Sequence, residues 1–346
     1  MTYSVDAFPG RTISVDGKSY LYFGGTSYLG LQTDAVFQDI YIKNLKNYGT
    51  NYGASRKANV QISVFEEAEK YLANLVGSES CITMSSGYLA GQLVARSLNS
   101  DVYELFYAPE SHSAVHIPGM EPYQSFDDLS TAISSHFNKS KKVPVAFMDS
   151  ILVLEGGYPH FAGLRRLPLE KIILVIDDSH GIGIVGENGC GAYERAKQLN
   201  AKEVIVCCSL GKGYGIQAGG IFGSKNRIEQ FKNTDFFGGA SPASPAAIAT
   251  LLNGKKVFEE KRKLLNQNIQ WFVKSLKNPE LLNYLDNYPA FYFSNPKIAS
   301  FLEKNDVLIT NFNYPNEDSP LMSRIVLSAV HTREDITVLA ELLNAL

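Results

Sequence analysis

Three short stretches of the chain carry residue types that do chemistry, each where a strand gives way to a turn or a helix. The first is Ile172–His180, IILVIDDSH. An apolar, β-branched run reads as a buried strand, and it ends in two carboxylates and an imidazole. In parallel α/β sheets functional groups emerge at the carboxyl ends of strands. Asp177 and Asp178 are consecutive, so on a strand they face opposite ways and at most one meets a ligand there. Asp177 and His180 are three positions apart, enough for the chain to turn and aim both at one site. The second stretch is Ser209–Gly220, SLGKGYGIQAGG. A strand leads into Lys212, which stands between Gly211 and Gly213. Flanking glycines let backbone approach a ligand closely, and a lysine so placed can hold a phosphate or form a Schiff base with a carbonyl compound. It is not a Walker A loop: Val206 stands where the first glycine belongs, and Gly213 takes the place of the Ser/Thr. The third is Ser85–Gly91, SSGYLAG, between a strand and a helix. Exposed N–H groups, small residues and hydroxyls at a helix start suit a phosphate.

Three further patterns compete with these. Gly181–Gly186, GIGIVG, matches the dinucleotide fingerprint, with Glu203 about 20 residues on. However, the preceding strand ends several residues too early, and Glu187-Asn188-Gly189 reads as a turn where the fingerprint needs a helix. His112 and His116 are spaced i, i+4 and on a helix could share a metal, yet no third ligand is apparent. Cys81, Cys190, Cys207 and Cys208 form no CxxC pair. They read as buried reduced thiols, and a disulfide between the adjacent Cys207 and Cys208 would be strained.

The scaffold that must position these groups is legible as a rhythm. Strands are expected at Ser80–Thr83, Val143–Met148, Ile172–Ile176, Val204–Cys207 and Gly220–Gly223. Helices are expected at Ser63–Leu75, Gly87–Leu98 and Asp127–Phe137, with apolar residues at helical spacing. Such alternation predicts an α/β fold with a mostly parallel sheet covered by helices. The last hundred residues read as a smaller α+β domain. It has a long helix from Ala246 to Lys274, strands at Ala290–Ser294, Val307–Thr310 and Ile325–Ser328, and a final helix, Thr332–Leu343, with Thr332 as N-cap and Asp335 as its capping-box acid. The expected division is residues 1–40 as an N-terminal segment packing with the small domain, 41–245 as the large domain, and 246–346 as the small one.

Composition narrows the function. The chain has 346 residues, 45% hydrophobic and 19% charged, an ordinary globular balance large enough for two domains. Thirty-two Lys and Arg against 35 Asp and Glu leave a net charge of −3, so nothing points to nucleic acid. No apolar run approaches the roughly 18 residues of a membrane span. The first ten residues lack the pattern of a secretory signal. The expectation is a cytoplasmic protein.

Taken in order, phosphate loop, His112, strand-Asp-x-x-His and Ser-x-x-Lys resemble the fold-type-I pyridoxal-phosphate enzymes. Within them the chain is similar to the α-oxoamine synthase family, which includes 8-amino-7-oxononanoate synthase and 2-amino-3-ketobutyrate CoA ligase. TSYLGL (Thr26–Leu31), YGASR (Tyr52–Arg56), SSGYLAG, VIDDSHGIGIVGENGCG, SLGKGYG, SPASPAA (Ser241–Ala247) and SRIVLSAVHT (Ser323–Thr332) each resemble a family segment. The resemblance implies pyridoxal 5'-phosphate as cofactor and a role for each residue. Lys212 would hold it covalently and later move the substrate's Cα proton. Asp177 would pair with the pyridine nitrogen, His180 would hydrogen-bond the ring oxygen, and His112 would stack on the ring. Ser86, Gly87, Tyr88 and Ser209 would bind the phosphate, joined by Ser241 from a second subunit of a homodimer. Arg324 would grip the substrate carboxylate. The implied reaction condenses an amino acid with an acyl-CoA, as 8-amino-7-oxononanoate synthase does in biotin biosynthesis. The alternative is transamination or other Cα chemistry on the same cofactor.

The chain also departs from the family pattern. Asn59–Phe65 lacks the family's glycine and last histidine, Gly91 replaces an asparagine, and Val153 replaces a serine. The N-terminus and small domain are shorter than usual. These departures fall on the acyl-CoA side of the site rather than on the cofactor side.

Overall fold

The computed structural model describes residues 2–152, 157–314 and 317–346; Val153 lies outside them. The chain forms two compact units. The smaller holds the chain up to Gln38 and from Lys255 onward, and the larger spans Asp39–Gly254. The smaller unit opens with strands β1 (Thr12–Val15) and β2 (Lys18–Phe23), which pair antiparallel.

The larger unit carries six strands: β3 (Ser80–Met84), β4 (Tyr103–Tyr107), β5 (Val143–Asp149), β6 (Ile173–Asp177), β7 (Glu203–Ser209) and β8 (Gly219–Gly223). They lie in the order β3-β8-β7-β6-β5-β4. The pairs β4–β5, β5–β6 and β6–β7 are parallel. Strand β8 alone runs against its neighbours β3 and β7. Its reversal follows from the link Leu210–Ala218, which is too short for the crossover that a parallel pair requires. The other five strands therefore end on the same edge.

Helix Gly87–Leu98 packs on this sheet. Its Leu93, Val94 and Leu98 join Ile82, Val145, Phe147, Val175 and Ile205 in one buried core. Each such side chain contributes about 1.5–3 kcal/mol by leaving water. The helices at Val64–Val76 and Phe126–Lys139 agree with their apolar spacing to within two residues.

Three expectations need correction. The strand expected at Ile325–Ser328 lies earlier, at Leu321–Val326. Strand β4, YELFY, was not among the expected strands, because Glu104 and the lack of β-branched residues hide it. The long helix expected from Ala246 to Lys274 is two helices, Pro245–Asn253 and Lys255–Ser275. Gly254 caps the first, with its N–H on the Thr250 carbonyl at 2.8 Å. An Asn-Gly pair is a poor helix interior and a good stop, while the apolar pattern continues across it. The two units part at this break.

The smaller unit continues with β9 (Asn283–Tyr284), β10 (Ala290–Tyr292), β11 (Val307–Asn313) and β12 (Leu321–Val326). Its sheet order is β1-β2-β11-β12-β10-β9, with β2 parallel to β11. The last helix, Arg333–Asn344, starts on the expected capping box of Thr332 and Asp335. Arg11 adds a bidentate bond to Asp335, at 2.6 and 2.9 Å.

Candidate active site

Strands β3, β5, β6 and β7 bring Ser86 and Gly87, Asp149, Asp177 and Ser209 to one edge of the larger sheet. Asp177 is the last residue of β6 and is buried. Its Oδ1 accepts the Ser179 N–H at 2.9 Å. Asp178 turns the other way, as two consecutive strand residues must. Its Oδ1 accepts from the Ser150 hydroxyl at 2.6 Å and its Oδ2 from the Ala192 N–H at 2.9 Å. Burial, joined by the charge of Asp177 and opposed by those two bonds, pushes its carboxyl up to about 7. Asp178 is therefore a core acid, and Asp177 is the one that faces the edge. His180 follows on the same turn, half-buried.

Lys212 lies on a single helical turn, Leu210–Gly213, directly after β7. Ser209 caps that turn, its Oγ accepting the Gly211 N–H at 3.2 Å. The Ser209 N–H in turn donates to Ser179 Oγ at 2.8 Å. The end of β6 thus fixes the start of the lysine turn.

His112 reaches the same place from the segment after β4. It caps the short turn Ser113–Val115, with its Nδ1 accepting the Ala114 N–H at 3.0 Å. In the neutral ring the proton then sits on Nε2. Burial lowers the imidazole's proton affinity; the charge of Asp177 opposes this and that of Lys212 adds to it. Both charges therefore act on the His112 ring. Helix Gly87–Leu98 holds the turn in place. Gln92 donates to the Ala114 and His116 carbonyls at 3.1 and 2.9 Å. A Cβ on Gly91 would lie 2.5 Å from the Ala114 oxygen, which accounts for glycine at that departure from the family pattern.

Ser86 caps the same helix, its Oγ accepting the Leu89 N–H at 3.2 Å. Gly87 lies against Ser209, where an added Cβ would come within 2.6 Å of the serine's Cβ. Tyr88 follows, its side chain exposed. The first-turn N–H groups and the hydroxyls of Ser86 and Ser209 thus form one tight cradle. Each hydroxyl oxygen already accepts a backbone N–H, so its own proton is what it offers an anion. Ser241 is exposed between the helices Asp235–Gly239 and Pro245–Asn253, and its assigned role depends on a second chain.

Arg324 belongs to the smaller unit, on β12 opposite Thr310 and Tyr292. It is buried, and its Nε has no hydrogen-bond partner among the described residues. Burial works against its charge, but the hydroxyls of Tyr28, Tyr292 and Tyr288 outweigh that and raise its proton affinity. A buried cation with no carboxylate partner among the described residues is built to receive an anion.

The competing patterns resolve in structural terms. β6 ends at Asp177, and Gly186 leads into the short turn Glu187–Gly189 rather than a dinucleotide-binding helix. His116 bonds Ser111 Oγ at 2.9 Å and packs on Tyr107, and among the described residues no cluster of metal ligands exists. All four cysteines are free and buried. No described helix is long and apolar enough to cross a membrane.

Asp149 is the site residue that the sequence reading missed. It ends β5 directly beside Asp177 on β6, and its Oδ1 accepts the His112 N–H at 2.9 Å. The signal that could have found it was the one used for Asp177, a carboxylate closing an apolar strand.

The sequence profile of the aminotransferase class I and II family matches residues 21–343. The chain belongs to that family. Full-length relatives of this family member include the 8-amino-7-oxononanoate synthase of Buchnera aphidicola subsp. Baizongia pistaciae, 28% identical, with 96% of this chain and 90% of that protein covered. A putative 8-amino-7-oxononanoate synthase of Thermodesulfovibrio yellowstonii is 26% identical, over 97% of this chain and 91% of the relative. Among solved structures, SPT with a PLP internal aldimine superposes with a TM-score of 0.81 at 17% identity, over 99% of this chain and 92% of that one. The 8-amino-7-oxononanoate synthase of Francisella tularensis gives 0.68 at 18%, over 94% and 97%. These superpositions establish the fold-type-I architecture, and this family member is a pyridoxal-phosphate-dependent transferase. The residues present fit that cofactor. The cradle of Ser86, Gly87 and Ser209 suits its phosphate, and the Asp177 carboxylate suits a protonated ring nitrogen.

Proposed function

We propose that the chain condenses an amino acid with an acyl-CoA thioester, in the manner of the 8-amino-7-oxononanoate synthases it resembles over its whole length. The observation that carries the amino-acid half is Arg324, a buried guanidinium with an unpartnered Nε in a tyrosine-lined setting. Its fork binds the substrate's α-carboxylate in bidentate fashion. When bound, pyridoxal phosphate supplies an electron sink for the pair left at the substrate Cα. The chain's own groups then have separate tasks. Lys212 Nζ anchors the cofactor and afterwards carries the proton at Cα. Asp177 holds the ring nitrogen protonated by placing a fixed negative charge against it. His180 donates to the ring oxygen, and the flat, neutral His112 imidazole covers the ring face. Ser86, Gly87, Tyr88 and Ser209 hold the phosphate, with Ser241 of a second copy of the chain completing the cradle. That last assignment makes the active form a homodimer. We place it in the cytoplasm, where the four buried free thiols stay reduced.

The test is a panel of L-amino acids and acyl-CoAs of increasing chain length, with release of the CoA thiol as readout. Condensation predicts thiol release that requires one amino acid and one class of acyl chain, and that disappears in Lys212→Ala. Formation of a 2-oxo acid with no thiol release would identify an aminotransferase instead.

A further inference from the structure

Asp149 has no assigned task in the chemistry above, yet it stands in the middle of the site. It ends β5 in register with Asp177, the residue that ends β6. Register partners on parallel strands lie about 4.8 Å apart and send their side chains to the same face. Two carboxyls therefore share one buried corner of the sheet edge. Asp149 also accepts the backbone N–H of His112 at 2.9 Å. That bond fixes the residue whose ring is turned by the Ala114 N–H on its Nδ1. The charged and titratable groups facing Asp149 are Asp177 on β6, His112 and Glu110 on the segment after β4, Lys212 on the turn after β7, and Cys207 on β7. Burial, joined by the charge of Asp177, pushes the Asp149 carboxyl well above the ordinary range, against the His112 bond and the Lys212 charge. Two like charges in one buried corner do not both ionise readily. The negative charge accordingly concentrates on one of them.

We propose that Asp149 is a positioning residue of the cofactor site: its carboxyl clamps the His112 turn and sets how strongly the neighbouring Asp177 presents its charge to the cofactor's ring nitrogen. This rests on the reading of Asp177 as that nitrogen's partner. Asp149 itself need not touch cofactor or substrate. It acts through His112 on where the imidazole plane lies, and through Asp177 on the electrostatics of the ring.

Two substitutions separate these effects. Asp149→Asn keeps an oxygen for the His112 N–H but cannot ionise. Asp149→Leu removes the acceptor as well. Each variant is freed of cofactor and titrated with pyridoxal phosphate, and the visible band of the bound cofactor is followed against pH. In Asp149→Asn the Kd stays within threefold of the unaltered protein and the band's pH midpoint stays within 0.3 of a unit. The midpoint holds because a neutral amide reproduces the protonated carboxyl and leaves the charge of the corner on Asp177. In Asp149→Leu the Kd rises at least tenfold. A midpoint moved by half a unit or more in Asp149→Asn shows that Asp149 itself carries charge there and overturns the inference, and that variant decides alone if Asp149→Leu does not fold. An unchanged Kd in a folded Asp149→Leu overturns the clamp. Absence of any visible band in the unaltered protein would instead bring down the cofactor reading, and this inference with it.

Discussion

Replacing Gly87 by alanine tests the phosphate cradle with the smallest possible insertion. The new methyl would lie 2.6 Å from Ser209 Cβ, 2.7 Å from its Cα and 2.8 Å from its N. Two of these are backbone atoms, so no rotamer change relieves them. Reaching ordinary van der Waals separation of about 3.4 Å moves helix Gly87–Leu98 and Ser209 apart by nearly an ångström. Overpacking of this kind costs about 1–3 kcal/mol. Alanine recovers about 1 kcal/mol by favouring the helix. Net stability therefore falls by at most about 2 kcal/mol and the protein stays folded. Binding suffers more, because a cradle opened by an ångström loses donors on both of its walls at once, and displacements of that size cost up to about a hundredfold at reacting sites. The assay compares pyridoxal phosphate with pyridoxal, which lacks the phosphate, in equilibrium titrations of the cofactor-free protein. The Kd for pyridoxal phosphate should rise at least tenfold and that for pyridoxal by less than threefold. Equal changes for both ligands, or none for either, would refute the cradle.

Other consequences follow from the same structure. Arg324→Met should raise KM for the amino acid about a hundredfold, the worth of a lost charge-assisted pair, while the Kd for pyridoxal phosphate stays within twofold; steady-state kinetics and titration read the two. Glu69→Ala strands the buried Arg56, which Glu69 grips at 2.8 and 3.1 Å, and should cost about 3–5 kcal/mol in denaturant unfolding; a loss under 1 kcal/mol would mean that the pair is not desolvated. Asp178 binds its proton more tightly folded, at about 7, than unfolded, near 3.9. Its contribution to stability is thus complete below about pH 4 and is lost as pH rises through 7. Melting temperature should therefore decline more steeply from pH 5 to 7.5 in the unaltered protein than in Asp178→Asn, and identical slopes would contradict this.

The parts of the site that were legible share one property: a polar residue that breaks an apolar strand. Asp177, Ser86 and Ser209 declare themselves in this way, and the glycines beside Lys212 mark a close approach. Asp149 does the same but lies one residue beyond the expected strand Val143–Met148 and is followed by Ser150 and an apolar stretch. The sense of β8 was not legible either. Alternation identifies a strand but not its direction, which here depends on how short Leu210–Ala218 is. The helix break at Gly254 was masked by apolar spacing that runs through it. Gly91 illustrates the opposite case, in which a departure from the family pattern became intelligible only when the Ala114 carbonyl was found against it.

The central claim is that this fold holds pyridoxal phosphate on Lys212 beside Asp177. The most direct measurement is the absorbance spectrum of the purified protein with pyridoxal phosphate, before and after borohydride, followed by peptide mapping. The account predicts a visible band that borohydride removes, with the reduced label fixed at Lys212 and no band in Lys212→Ala. No band at saturating cofactor, or a label carried by another lysine, would contradict it.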